Sequence, residues 1–117
     1  MVLTMAWRRE LPQHIDPLPN LRRKWFSRRG RLICEEEGWS FWVSSSASAR
    51  IDGFHYEENG RELTLGGEDE IIVPPYLTWD DDLSTPIDDA TAKRILFRMT
   101  AAMQWSGLSV SLVFREE

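Results

Sequence analysis

The sequence predicts an α+β fold: an antiparallel sheet of about five to six strands, one main C-terminal helix packed on one face of it, and a final strand after the helix. Three features carry that expectation. Trp39–Ser44 and Leu108–Phe114 alternate apolar with polar residues, which is the period of a half-buried strand. Asn59-Gly60 stands between two strand-like runs and marks a tight hairpin, because both positions tolerate positive φ. Ala92, Ile95, Leu96, Met99, Ala102 and Met103 recur at helical spacing as a single apolar stripe.

Taken in order, residues 1–30 read as a basic, proline-containing N-terminal arm and residues 31–117 as a single acidic α+β domain. Within the arm, Pro17 and Pro19 remove donors and push their predecessors towards extended backbone, so no continuous helix runs through them. Leu21–Ser27 is expected to form a short helical turn, with Trp7, Leu11, Leu21, Trp25 and Phe26 packing the arm and its arginines outward. Arg31–Glu36 is the first strand of the domain and Glu37-Gly38 stops it. In the next strand Trp39, Phe41 and Val43 share one face, and Ser40, Trp42 and Ser44 the other.

Residues 50–57 and 61–65 flank the Asn-Gly turn. Ile71-Ile72-Val73 reads as a buried strand that ends at Pro74-Pro75, with Tyr76–Trp79 continuing it as an edge strand or extended loop. Asp88 is placed to cap the helix, and Asp89 adds negative charge at the positive end of its dipole. Arg94 and Arg98 are expected to face away from the core. Ser106-Gly107 supplies the stop before the last strand.

Charge is unevenly placed. Residues 1–31 hold eight Lys/Arg against two acids, a net +6; residues 32–117 hold six against seventeen, a net −11, and the two sum to −5. Such asymmetry concerns partners rather than fold. The single cysteine, Cys34, excludes an intramolecular disulfide and reads as a small buried hydrophobe. No apolar run approaches the ~20 residues of a membrane span, and neither a secretory nor a twin-arginine signal fits, so the chain reads as cytoplasmic with no membrane partner.

Reactive constellations are scarce. His55 lies in a strand and points opposite to Phe54 and Tyr56; as a general base it needs a serine, cysteine or carboxylate within hydrogen-bond reach, and no motif links it to Cys34. Glu35-Glu36-Glu37 and Asp80-Asp81-Asp82 are consecutive, so alternate side chains diverge and do not converge on a metal ion. Asp80–Ser84 also lacks the glycine and distal glutamate of a calcium loop. The reading is therefore of a protein that is not an enzyme and uses no cofactor or metal. Arg22, Arg23, Lys24, Trp25, Arg28 and Arg29 interleave cations with an aromatic, the composition of a single-strand nucleic-acid binder. This supports an alternative function, a nucleic-acid-associated regulator working through the arm. The acidic remainder repels phosphate and argues against it.

From Arg29 onward the chain resembles a small immunity-protein family of bacterial polymorphic-toxin and contact-dependent growth inhibition systems. The resembling segments are Tyr56–Leu65, Ile71–Pro75, Leu77-Thr78-Trp79 with its acidic follow-on, and the order of helix, Gly107 and closing strand in Ile87–Val113. The resemblance implies a cytoplasmic protein that binds and neutralises a cognate toxin domain by blocking its active surface. The charge of the body favours a basic target such as a nuclease. On that expectation Glu35, Glu37, Glu57, Glu58, Glu68, Asp69, Glu70, Asp80, Asp81 and Asp82 are candidate toxin-binding acids, and Trp42 is a candidate aromatic anchor.

Overall fold

A computed structural model describes residues 22–24, 32–45, 51–67, 70–105 and 111–115. Among these, five strands form one antiparallel sheet in the order β1 (Arg22–Lys24), β2 (Leu32–Glu36), β3 (Trp39–Ser45), β4 (Ile51–Glu58) and β5 (Arg61–Leu65). Each strand neighbours the next in sequence, as short connections dictate. The β4–β5 turn is the two-residue hairpin expected: Asn59 and Gly60 take φ of 53° and 79°, and Glu58 pairs with Arg61 across it. That turn sets the whole β4–β5 register.

After β5 the chain makes β6 (Glu70–Val73), the helix α1 (Asp89–Trp105) and β7 (Ser111–Phe114). The fold is thus α+β, with a helix and then a last strand. That strand does not join the antiparallel sheet. β7 runs parallel to β6 in a separate two-stranded sheet, because the intervening helix carries the chain back and returns it in the direction of β6.

The core lies between one face of the large sheet and the helix stripe. Phe41, Phe54, Tyr56 and Leu63 from the sheet meet Ile95, Leu96, Met99 and Ala102 from α1, with Ile71 and Val73 of β6 beside them. Each fully buried Leu, Ile or Met contributes about 1.5–3 kcal/mol by leaving water. Asp88 caps α1 as expected: its Oδ2 accepts the Thr91 N–H at 3.0 Å and its carbonyl accepts the Ala92 N–H at 2.9 Å.

Three local expectations are corrected, and one open alternative is decided. Arg22–Lys24 is extended backbone paired with Ile33–Glu35, not part of a helical turn, because the edge of β2 offers ladder bonds that a single helical turn lacks. Of the two readings for Tyr76–Trp79 the loop holds: Tyr76–Thr78 forms no strand, the chain turns at an isolated Trp79–Asp82 bridge, and the Asp80 N–H is donated to the Glu62 carbonyl at 2.7 Å. Arg98 does not leave the core but bonds the Tyr56 hydroxyl at its rim, and Arg94 folds back onto Glu58. Trp42 faces away from the helix as alternation requires, yet it is only 4% exposed. The packing of Trp7, Leu11, Leu21, Trp25 and Phe26, the burial of Cys34 and the stop at Ser106-Gly107 lie outside what is described. No helix among the described residues is long and apolar enough to cross a membrane.

Candidate functional site

Strand register sorts the polar residues onto two faces. Trp39, Phe41, Val43, Phe54, Tyr56, Glu58, Arg61, Leu63 and Leu65 face α1, so the residues between them form the outer face. One outer row runs Glu35, Ser40, Glu57, Glu62 across β2 to β5. Glu37 stands exposed in the β2–β3 turn at the same end, and Asp80 lies against β5 through the Glu62 carbonyl. Glu57 and Glu62 are directly opposite each other across the β4–β5 ladder. The β1 backbone places Arg22 beside Glu35 at the far end of this row.

The next outer row is different in kind. Trp42 pairs with His55 and His55 with Thr64, and the indole and imidazole stack with centroids 5.3 Å apart at 13°. His55 Nε2 lies 2.9 Å from Ser44 Oγ, and its Nδ1 lies 3.1 Å from Thr64 Oγ1. The Thr64 hydroxyl donates in turn to Asp80 Oδ2 at 2.7 Å, while the Thr64 N–H donates to Asp80 Oδ1 at 3.1 Å. A carboxylate only accepts, so the single Thr64 hydroxyl proton goes to Asp80. Thr64 Oγ1 then accepts from His55 Nδ1–H, and when the ring is neutral Nε2 accepts the Ser44 proton. This directionality assigns the tautomer.

Gly53 makes room for the pair. A Cβ there would stand 2.6 Å from Ser44 Oγ and 3.0 Å from His55 Nε2. The ladder shifts register between Ser44 and Ser45, a bulge-type irregularity beside the pair.

Several predicted acids are used within the fold. Glu58 lies on the helix-facing side, its side chain 11% exposed, and accepts from Arg94 Nη2 at 2.6 Å, Arg98 Nη1 at 2.8 Å and the Tyr56 hydroxyl at 2.8 Å. Burial pushes its carboxyl up, but the hydrogen bonds from Arg94 and Tyr56 and the two guanidinium charges outweigh it and hold the group below its ordinary value. Burial also pushes the Tyr56 phenol up to about 12. Asp81 pairs with Arg61 at 2.7 Å, which lowers its carboxyl, and Arg61 lies over the Trp79 ring at 5.1 Å. Asp82 is held low by the Thr85 and Ser84 side chains.

Glu35 and Glu57 are half-buried on the outer face, and Glu37 and Glu70 are exposed. Glu68, Asp69, Trp25, Arg28 and Arg29 lie outside the described residues, and of Arg22, Arg23 and Lys24 only the backbone pairing is described. A cleft of about 370 Å³ opens near the start of α1 between Arg61, Trp79 and Arg94, but both guanidiniums on its wall are paired with acids. Among the described residues no group of His, Cys, Asp or Glu is gathered to hold a metal ion.

Sequence reasoning missed Glu62, although the Asn59-Gly60 turn places it opposite Glu57 once a two-residue hairpin is assumed. It also missed Ser44, Thr64 and Asp80 as companions of His55. No local pattern signals them, because they come from different elements. Comparison with protein-family models, with curated proteins and with solved structures finds no match.

Proposed function

We propose that this chain is an immunity protein, a stoichiometric inhibitor that binds a toxin domain and covers its active surface with the acidic end of the large sheet. The observation that carries the reading is the cross-strand row Glu35, Ser40, Glu57, Glu62 with Glu37 and Asp80 at its margins. Two glutamates directly opposite each other concentrate negative charge that a basic partner complements on docking. The −11 net charge of residues 32–117 adds a long-range field that steers a cationic partner and raises its association rate by about 10–1000-fold. A nuclease, basic because it grips phosphates, is the target class that suits this field.

The chosen surface differs from the one the sequence suggested. Glu58, Asp81 and Asp82 are spent on internal partners and serve the fold, and the buried Trp42 does not serve as an exposed anchor. Glu37 and Glu62, both exposed, take the leading roles.

Co-expression with any toxin-like reading frame found beside this gene tests the proposal. The expected result is growth protection and a co-purified one-to-one complex whose association slows as salt screens the charges. Replacing Glu37, Glu57 and Glu62 by Lys should slow association while leaving the thermal transition in place. Absence of both complex and protection would remove the reading.

A further inference from the structure

We propose that Ser44 is a nucleophile, activated by His55 as general base, that accepts the acyl group of a small activated ester or thioester. The inference does not depend on the toxin reading; it rests on the hydrogen-bonded run Ser44, His55, Thr64, Asp80 on the outer face. Its polarity is fixed at the far end. Asp80 draws the Thr64 proton, Thr64 draws His55 Nδ1–H, and Nε2 is left with a lone pair 2.9 Å from Ser44 Oγ. That is the division of labour of a serine–histidine–carboxylate triad, with a threonine hydroxyl interposed before the carboxylate.

Three other features fit that role. The Trp42 ring stacked on the imidazole holds its plane. Gly53 supplies the space the pair occupies, since a Cβ there would force Ser44 Oγ to shift and press on His55 Nε2. The register shift beside Ser44 breaks the regular ladder there, as bulges next to active sites do.

In the step itself Ser44 Oγ attacks the carbonyl carbon and its proton passes to His55 Nε2. The bond from that carbon to the leaving oxygen or sulfur breaks, and the leaving group departs with the electron pair and takes the proton from Nε2. Acyl-Ser44 remains. Water, deprotonated by the same nitrogen, then attacks the acyl carbon; the bond to Ser44 Oγ breaks, Oγ takes the proton back from Nε2, and the carboxylic acid leaves. Ser44 and His55 are the catalytic residues, and Thr64 and Asp80 are positioning residues.

The test is labelling of the full chain with p-nitrophenyl acetate, read by intact mass and peptide mapping. One acetyl group on Ser44, formed about 100-fold faster than on Ser40 or Ser84 of the same molecule, is expected from general-base assistance. His55→Gln should remove that excess. Thr64→Val should reduce it and Thr64→Ser should restore it, a rescue that packing alone does not explain. Acetylation of Ser44 no faster than of Ser40, in protein whose tryptophan fluorescence reports the native fold, would overturn the proposal, as would labelling indifferent to His55→Gln. Neither result bears on toxin binding, which is read by co-purification.

Discussion

Replacing Glu58 by Gln removes one negative charge from a cluster that ties the helix to the sheet. Glu58 on β4 accepts two bonds from Arg94, one from Arg98 and one from Tyr56. Arg94 is 45% exposed, so its share falls in the surface range of about 0.2–1 kcal/mol. Arg98 is 25% exposed, lies 5.4 Å over the Trp39 ring and also donates to Tyr56, so its share lies closer to the about 1.5–3 kcal/mol of a sheltered charged hydrogen bond. Glutamine keeps one carbonyl acceptor but turns an amide donor towards guanidinium donors. The net loss works out at about 2 kcal/mol at neutral pH. In a chain of this length that lowers the thermal midpoint by about 8 °C.

The pH dependence supplies an independent reading. A carboxyl held low in the folded state contributes stability that is complete above its unfolded pKa and is lost as pH falls through its folded value. Wild-type protein should therefore lose this contribution below the ordinary value of 4.5, and the gap between wild type and Glu58→Gln should close in acid. Urea titrations followed by tryptophan fluorescence at several pH values measure both effects. A destabilisation under about 0.5 kcal/mol at neutral pH, or a gap that stays constant in acid, would refute the account of this cluster.

Three further outcomes are expected. Asp88→Ala should cost about 1 kcal/mol in urea titrations by removing the acceptor for the Thr91 N–H at the start of α1. Gly53→Ala should drive Ser44 off His55, costing about 1 kcal/mol and shifting the His55 ring nitrogen resonances; unchanged resonances would contradict the tight fit at Gly53. Asp80→Ala should speed amide hydrogen exchange at Thr64, whose N–H is donated to the Asp80 carboxylate.

Much of the architecture was legible because it depends on near neighbours in the chain. The alternation of Trp39, Phe41 and Val43, the positive φ demanded by Asn59-Gly60 and the stripe from Ala92 to Met103 each use fewer than about two dozen residues, the scale over which strand and helix periods are read. Those elements appear in the structure with the expected faces. The helix cap at Asp88 was legible for the same reason.

Arg98 shows where such reasoning stops. Its place on the helix surface suggested solvent, but the sheet brings Glu58 and Tyr56 within reach, and a long side chain bends to an available carboxylate. Trp42 shows the same limit from the other side, since alternation assigns a face but does not say whether that face is covered.

The chain sequence alone specified the α+β composition, the two-residue hairpin, the capped helix Asp89–Trp105 and the segregation of charge. Each of these arises from steric preference, hydrophobic period or simple addition. Folding in three dimensions settled which carboxylates were consumed by arginines, the parallel pairing of β6 with β7, and the meeting of Ser44, His55, Thr64 and Asp80. These features rest on strand register and on contacts between distant segments. A one-residue slip would send every side chain of a strand to the opposite face, so no local pattern encodes them.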